Sequence, residues 1–393
     1  ISELSCDFFI DDLLDVFEEP HFPKKTKKIL FKDEAISVDQ TFNSWFKINE
    51  FFFNNIELDD VSAYTETLTK QSVRGIIKVH DLGNSTIFRI ETKSNNVYAG
   101  KLYPDPTFDD RGRLEREKKA CEFFHFKNFQ NVSEVICSDK NLNFSLFKWI
   151  EGSKIRNLSD DDVREALAFV KALVAASKAT GYEEFGLASA ACISGKMIED
   201  QILERFQKIN NVAPLFANLH KFLEEKLAIS IEEILNFTKK NWVGEFSTVL
   251  PISNQLLSPS DLGFHNVIRT EKGLKFVDFE YFGWDDPVKL AADFLLHPGM
   301  SLTEKQKRLW VDNMVSIFST DDSFKQRLRQ SYSLYGLCWC LIQLNVFISD
   351  GDAKKRTMSE NSQIEKKQME QFDKSKKLLK SLNQSYKTGF PYE

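Results

Sequence analysis

A chain of 393 residues is long enough for two or three packed domains with a sizeable core. With 42% hydrophobic and 28% charged residues, its composition is that of a globular protein and excludes wholesale disorder, collagen-like chains and coiled coils. A net charge of −6 offers no concentrated basic face, so no nucleic-acid partner is expected; the apolar runs around Phe147 and Leu341 are interrupted by polar residues, so no membrane partner is expected either.

The six cysteines are too few and too scattered for a disulfide framework, which favours a reducing, cytoplasmic location. Cys338 and Cys340 flank Trp339 and read as buried thiols rather than a zinc pair. The chain opens at Ile1 with neither an initiator Met nor a basic and apolar leader, so it is expected to begin partway through a longer product.

Residues 1–60 read as an appendage: a strand from Asp7 to Ile10, the acids Asp11 and Asp12, a loop with Pro20 and Pro23, a strand from Ile29 to Phe31, and an aromatic helix from Asp39 to Phe53. Residues 61–150 read as a small sheet domain. Gly75 to His80, Thr86 to Thr92 and Val97 to Tyr103 form a three-strand antiparallel meander with turns at Asp81 to Ser85 and Ser94 to Asn96. An amphipathic helix from Arg113 to Phe124 and strands from Ser133 to Cys137 and Phe144 to Trp149 follow. Residues 151–393 turn helical. Ser159 followed by Asp162 marks a helix start, and further helices span Met197 to Lys208, Leu215 to Leu227, Ile229 to Lys239 and most of Val288 to Leu382. Two short strands, Val267 to Arg269 and Leu274 to Phe279, interrupt them around the Lys272-Gly273 turn.

The chemistry concentrates in Leu257-Ser258-Pro259-Ser260-Asp261-Leu262-Gly263-Phe264-His265-Asn266 and in Phe276-Val277-Asp278-Phe279-Glu280. An acid, a Leu, three variable residues and an Asn is the spacing of the kinase catalytic loop, in which the Asp orients a hydroxyl and the Asn ligates Mg²⁺. Asp261 and Asn266 fit it, and Asp278, at a strand end before Phe279, stands where a second metal acid would. A hard cation takes such oxygen donors and fills its remaining places with phosphate and water. Upstream, Lys101 on the third strand is placed to hold nucleotide phosphates, with Glu117 as its partner and Glu115 as the runner-up. Glu117 is preferred because it shares the face of Cys121 and Phe124. Gly83, Asn84 and Ser85, between the first two strands, can offer backbone amides to the phosphates.

From about Ser72 to Leu382 these motifs resemble the aminoglycoside phosphotransferase and choline kinase family of small-molecule kinases. The resemblance implies an α+β, protein-kinase-like bilobal fold with a small antiparallel-sheet lobe and a large, mostly helical lobe, here with a short N-terminal α/β appendage. It implies ATP and Mg²⁺ as cofactors, with Asp261 as catalytic base, Asn266 and Asp278 as metal ligands, and Phe147, Lys148, Trp149 and Ile150 as the hinge against the adenine. Trp284-Asp285-Asp286-Pro287, with Leu290, Ala291 and Asp293, also looks like the family's stretch after the metal acid. One departure is Pro259, where the family often has a His; His265 beside Asn266 is the candidate to take over part of that structural role. The implied partner is a small-molecule hydroxyl acceptor: a sugar, an aminoglycoside or an amino alcohol. A non-catalytic scaffold on the same fold and a protein kinase are the competing readings.

Residues 8–31 are similar to the last strands of a haloacid-dehalogenase-like phosphatase, whose acid pair after a strand binds Mg²⁺. No Asp-x-Asp nucleophile follows a strand before Asp11, so no phosphatase activity is expected.

Overall fold

The computed structural model describes residues 6–32, 40–42, 45, 48, 58–80, 85–104, 109, 111–181, 185–348 and 358–392. The chain divides into two compact units, Ile1–Glu122 with Ser133–Ile150, and Phe123–Val132 with Glu151–Glu393.

In the first unit, β1 (Phe8–Asp11), β2 (Lys27–Phe31) and β3 (Gln40–Phe42) form a small sheet in that order, paired parallel throughout. Parallel neighbours need a crossover, and between β1 and β2 it contains the short helix Leu14–Glu18. Ile29 and Leu30 are wholly buried, and Ile29, Phe42 and Ile48 form the local core. Most of the aromatic helix expected from Asp39 to Phe53 lies outside the described residues, as does the Phe51 to Phe53 cluster.

The helix Leu58–Thr69 is followed by a five-stranded antiparallel sheet of order β4-β5-β6-β8-β7, comprising β4 (Val73–His80), β5 (Thr86–Thr92), β6 (Val97–Leu102), β7 (Val135–Asp139) and β8 (Phe144–Lys148). The meander turns at Asn95, whose φ of 63° suits an asparagine. Val61, Phe88, Ile90, Tyr98, Leu102, Phe144 and Leu146 close one core against the sheet.

The second unit is mainly helical. A capping box, Ser159 with Asp162, starts the helix Asp160–Lys178 as its sequence suggests. The break expected between Leu227 and Ile229 is absent: Ala217–Phe222 passes through a π turn, Leu223–Leu227, directly into Ala228–Asn241. Phe124, Phe169, Phe276, Phe279 and Phe282 form an aromatic core, with Phe169 and Phe276 stacked at 4.2 Å. The segment Phe324–Ile348 is long and apolar enough by composition to cross a membrane, contrary to the sequence expectation for the run around Leu341. Most of its apolar stretch is buried inside this unit, as in the core helix of a globular protein. Cys338 and Cys340 are buried free thiols on that helix, and burial pushes Cys338 up to about 12.

Two small sheets frame the Asp261 loop. β9 (Ser153–Lys154), β11 (Val267–Thr270) and β12 (Gly273–Phe276) form one of order β12-β11-β9. The other pairs β10 (Leu256–Ser258) with β13 (Gly283–Asp285). This last pair was not anticipated, because Leu-Leu-Ser and Gly-Trp-Asp are too short to show a strand period.

Candidate active site

In the first unit, Lys101 is the fifth residue of β6 and lies opposite Ser145 of β8. Its ammonium meets Glu117 Oε2 at 2.6 Å, and the two residues are only 5% and 2% exposed. Glu117 stands on the helix Arg113–Phe126, and its Oε2 also accepts from the Tyr103 hydroxyl at 2.8 Å. Burial, reinforced by the Glu117 charge, holds Tyr103 well above the ordinary tyrosine range, so it remains a donor. The structure therefore assigns the ion pair to Glu117 rather than Glu115. Gly100 lets β6 lie flat here, since a Cβ would come within 2.7 Å of both Ile90 and Phe144.

At the end of β8, Phe147 is buried, Lys148 is exposed with Glu134 at 3.6 Å, and Ile150 is half-buried. The Trp149 backbone donates to Val97 O at 3.2 Å, and Arg89 lies over its ring at 5.4 Å. The Trp149 indole N–H is buried with no acceptor among the described residues. Gly83 and Asn84 lie outside the described residues; Ser85 is half-buried at the start of β5.

In the second unit, β10 delivers the chain to Ser260, which takes a left-handed φ of 64°, and Asp261 follows. Leu262 and Phe264 anchor the loop in the core, Phe264 against Phe294 at 5.5 Å with its N–H donated to the Met300 sulfur. A single 3-10 turn, Phe264–Asn266, then brings the chain back past Asp261. Asp261 Oδ2 accepts from His265 Nε2 at 3.2 Å and from Asn266 Nδ2 at 3.3 Å, and Asn266 Nδ2 also reaches Asp261 O at 3.2 Å. The expected pair, Asp261 and Asn266, is thus joined directly. Burial raises the Asp261 pKa, but the hydrogen bond and charge of His265, with His297 and Lys289, outweigh it and leave Asp261 below the usual carboxylate value. His265 shifts upward for the complementary reason, its burial outweighed by Asp261 and Asp278.

Asp278 does not end a strand. β12 stops at Phe276, Val277 N donates to Asn266 O at 3.0 Å, and Asp278 follows with φ 70°, a conformation that Asp and Asn tolerate better than most residues. Asp278 is half-buried beside Phe279, which packs on Phe124 at 4.6 Å.

Two of the acids after it, Asp285 and Asp286, are structural. Asp286 caps the helix Pro287–Leu296 by accepting from Val288 N and is held by Arg327, whose Nε and Nη2 each lie 3.0 Å from its carboxylate. Asp285 is 1% exposed; its Oδ1 accepts from Cys192 N and Asp286 N, and its Oδ2 lies 3.9 Å from Lys289 Nζ. Glu280 is buried. Sequence reasoning missed the support beneath the loop: Lys289 Nζ donates to Ser260 Oγ at 3.3 Å and to Asp293 Oδ2 at 2.7 Å. His297 is the C-cap of the helix Pro287–Leu296, and its ring lies parallel to that of His265 at 4.2 Å.

No protein-family model matches the sequence, and no curated protein matches it. Solved structures do match, across most of the chain. A spectinomycin phosphotransferase, solved with ADP and spectinomycin, aligns with a TM-score of 0.57 at 9% identity, covering 84% of this chain and 98% of that one. The fold is protein-kinase-like. A choline kinase from Cryptosporidium parvum aligns with a TM-score of 0.51 at 10% identity, covering 84% of this chain and 99% of that one. At these identities the likeness carries the fold alone. The five-stranded antiparallel sheet and the mostly helical second unit are the fold seen in aminoglycoside phosphotransferases and choline kinases, with the small β1-β2-β3 sheet in addition.

Proposed function

We propose that this protein transfers the γ-phosphoryl group of ATP, with Mg²⁺, to a hydroxyl of a small molecule. The observation that carries the reading is the Asp261 and Asn266 pair, hydrogen-bonded to each other on one short loop. The buried Lys101 and Glu117 pair supports it independently.

The donor sets suit both cofactors. Asn266 uses its amide nitrogen on Asp261, which leaves its amide oxygen as the atom for a cation. Asp278 adds a carboxylate, and a hard divalent ion takes such oxygens. Lys101 is an ammonium fixed by Glu117, with the three donors a phosphate-binding lysine needs. The Trp149 indole N–H, without an acceptor among the described residues, is a donor for a polar ring at the proposed hinge. When bound, Mg²⁺ supplies charge neutralisation for the transferring phosphoryl group.

The chain's own residues do the rest. Asp261, kept ionised below the usual carboxylate value by His265, accepts a hydrogen bond from the acceptor hydroxyl, orients it and takes its proton as the bond to phosphorus forms. Lys101 offsets phosphate charge. Catalysis by this machinery is positioning and electrostatics. The acceptor belongs among sugars, aminoglycosides and amino alcohols.

The test is an ADP-release assay with ATP, Mg²⁺ and a panel of those three acceptor classes. Acceptor-dependent release that Asp261→Ala abolishes, with nucleotide binding retained, is the expected result. Nucleotide binding without transfer to any acceptor or to water would favour a scaffold; autophosphorylation with labelled ATP would favour a protein kinase.

A further inference from the structure

We infer that Asp261 is oriented by a relay of positioning residues running from Asp293 through Trp339 and His297 to His265. The inference rests on the reading of Asp261 as the catalytic base and adds the residues that aim it.

The residue two before Asp261 is Pro259, which has no side-chain donor, so the carboxylate must be held from elsewhere. His265 Nε2 holds it at 3.2 Å. An imidazole on a surface loop has rotamer freedom of its own, and the His297 ring removes it by lying face to face with His265, 4.2 Å between centroids and 5° between planes. His297 is itself fixed twice. Its Nδ1 accepts the Gly299 N–H at 3.0 Å, and its ring meets the Trp339 indole edge-on at 4.8 Å and 82°. Trp339 Nε1 donates to Asp293 Oδ1 at 2.8 Å.

Asp293 also anchors the other side of the loop. Its second oxygen, Oδ2, accepts from Lys289 at 2.7 Å, and Lys289 reaches Ser260 Oγ at 3.3 Å. Ser260 is the left-handed residue immediately before Asp261. One half-buried helix residue therefore supports both the backbone that presents Asp261 and the imidazole that aims its carboxylate. Neither His297 nor Trp339 hydrogen-bonds Asp261; they act through His265. Their contribution is stiffness, and misplacing a reacting group by about 1 Å costs on the order of 100-fold in rate.

The proposal predicts a pattern that loss of fold would not give. His297→Ala lowers kcat tenfold or more with KM for ATP unchanged. His297→Phe, which keeps a flat ring on His265, recovers most of that loss. Trp339→Phe keeps an aromatic ring against His297 and gives an intermediate loss by removing the donor to Asp293. An unchanged kcat in His297→Ala, or a His297→Phe variant as impaired as His297→Ala, overturns the relay. The crystal structure of His297→Ala gives a readout independent of turnover: a displaced Asp261 carboxylate supports the relay, and an unmoved one overturns it. If wild-type protein transfers phosphate to nothing, the proposed activity fails while that crystal structure still decides the relay.

Discussion

Lys101 and Glu117 meet at 2.6 Å with both side chains almost wholly removed from water. Such a pair contributes little net stability, because desolvating two charges offsets their attraction, but breaking it is costly. Lys101→Ala strands a carboxylate in the core and should cost about 3–5 kcal/mol. The double variant Lys101→Met with Glu117→Leu should recover part of that loss, since an apolar pair of similar size avoids the desolvation although the Tyr103 hydroxyl loses Glu117 as its acceptor, yet show no ATP-induced rise in melting temperature. Thermal unfolding of both variants with and without ATP checks this. A single variant as stable as wild type would show that the pair is not formed in solution.

Asp285 predicts a pH dependence. Burial pushes its carboxyl up to about 7, against the pull of Lys289 and two backbone N–H groups. An unfolded aspartate titrates near 4. Between about pH 4 and 7 the folded chain therefore keeps a proton that the unfolded chain has released, and stability falls as pH rises through that window. Asp285→Asn keeps the acceptor oxygen for Cys192 and Asp286 and removes the titration. Its melting temperature should decline less between pH 5 and 8 than that of wild type. Parallel profiles for the two proteins would refute the assignment.

The parts of the site that were legible in the sequence are those whose members are close in the chain or carry strand and helix periodicity. Asp261 and Asn266 meet because a single 3-10 turn separates them, so spacing alone carries the geometry. Lys101 was legible through the meander, and Glu117 through the face of its helix. The support was not legible. Lys289 and Ser260 are brought together by the β10–β13 pair and the helix that follows, and His297, Trp339 and Asp293 converge from two different helices. Long-range packing of single residues leaves no period in a sequence. The adjacent acids Asp285 and Asp286 look alike in the sequence, and only burial and the Arg327 fork on Asp286 separate their roles.

Glycines at two strands should respond differently to the same methyl group. At Gly100 a Cβ would meet the side chains of Ile90 and Phe144, which can shift, so Gly100→Ala is expected to cost about 1–3 kcal/mol, the usual range for overpacking. At Gly283 it would meet backbone, Ala188 N at 2.5 Å and Gly186 O at 2.7 Å, which cannot give way without parting β13 from the 186–188 segment. Gly283→Ala should therefore be the more destabilising, and Gly75→Ala, with open space around it, nearly neutral by comparison. Chemical denaturation of the three variants gives the order, and an inverted order would contradict the close approach at Gly283.

Asp278 combines an uncommon backbone with a proposed charge role, and two substitutions separate them. Its φ of 70° costs an ordinary residue roughly 1 kcal/mol or more, whereas Asn accepts it readily. Asp278→Asn should thus melt close to wild type, while Asp278→Ala should melt lower from backbone strain alone. If the carboxylate ligates Mg²⁺, both variants should lose the metal-dependent part of ATP binding, because a neutral amide oxygen is a weaker ligand for a hard cation than a carboxylate. Titration calorimetry with ATP at fixed Mg²⁺ and again with chelator measures that part directly. Should Asp278→Asn bind Mg²⁺ and ATP as tightly as wild type, Asp278 is a backbone device that shapes the turn after β12, and the metal belongs to other oxygens.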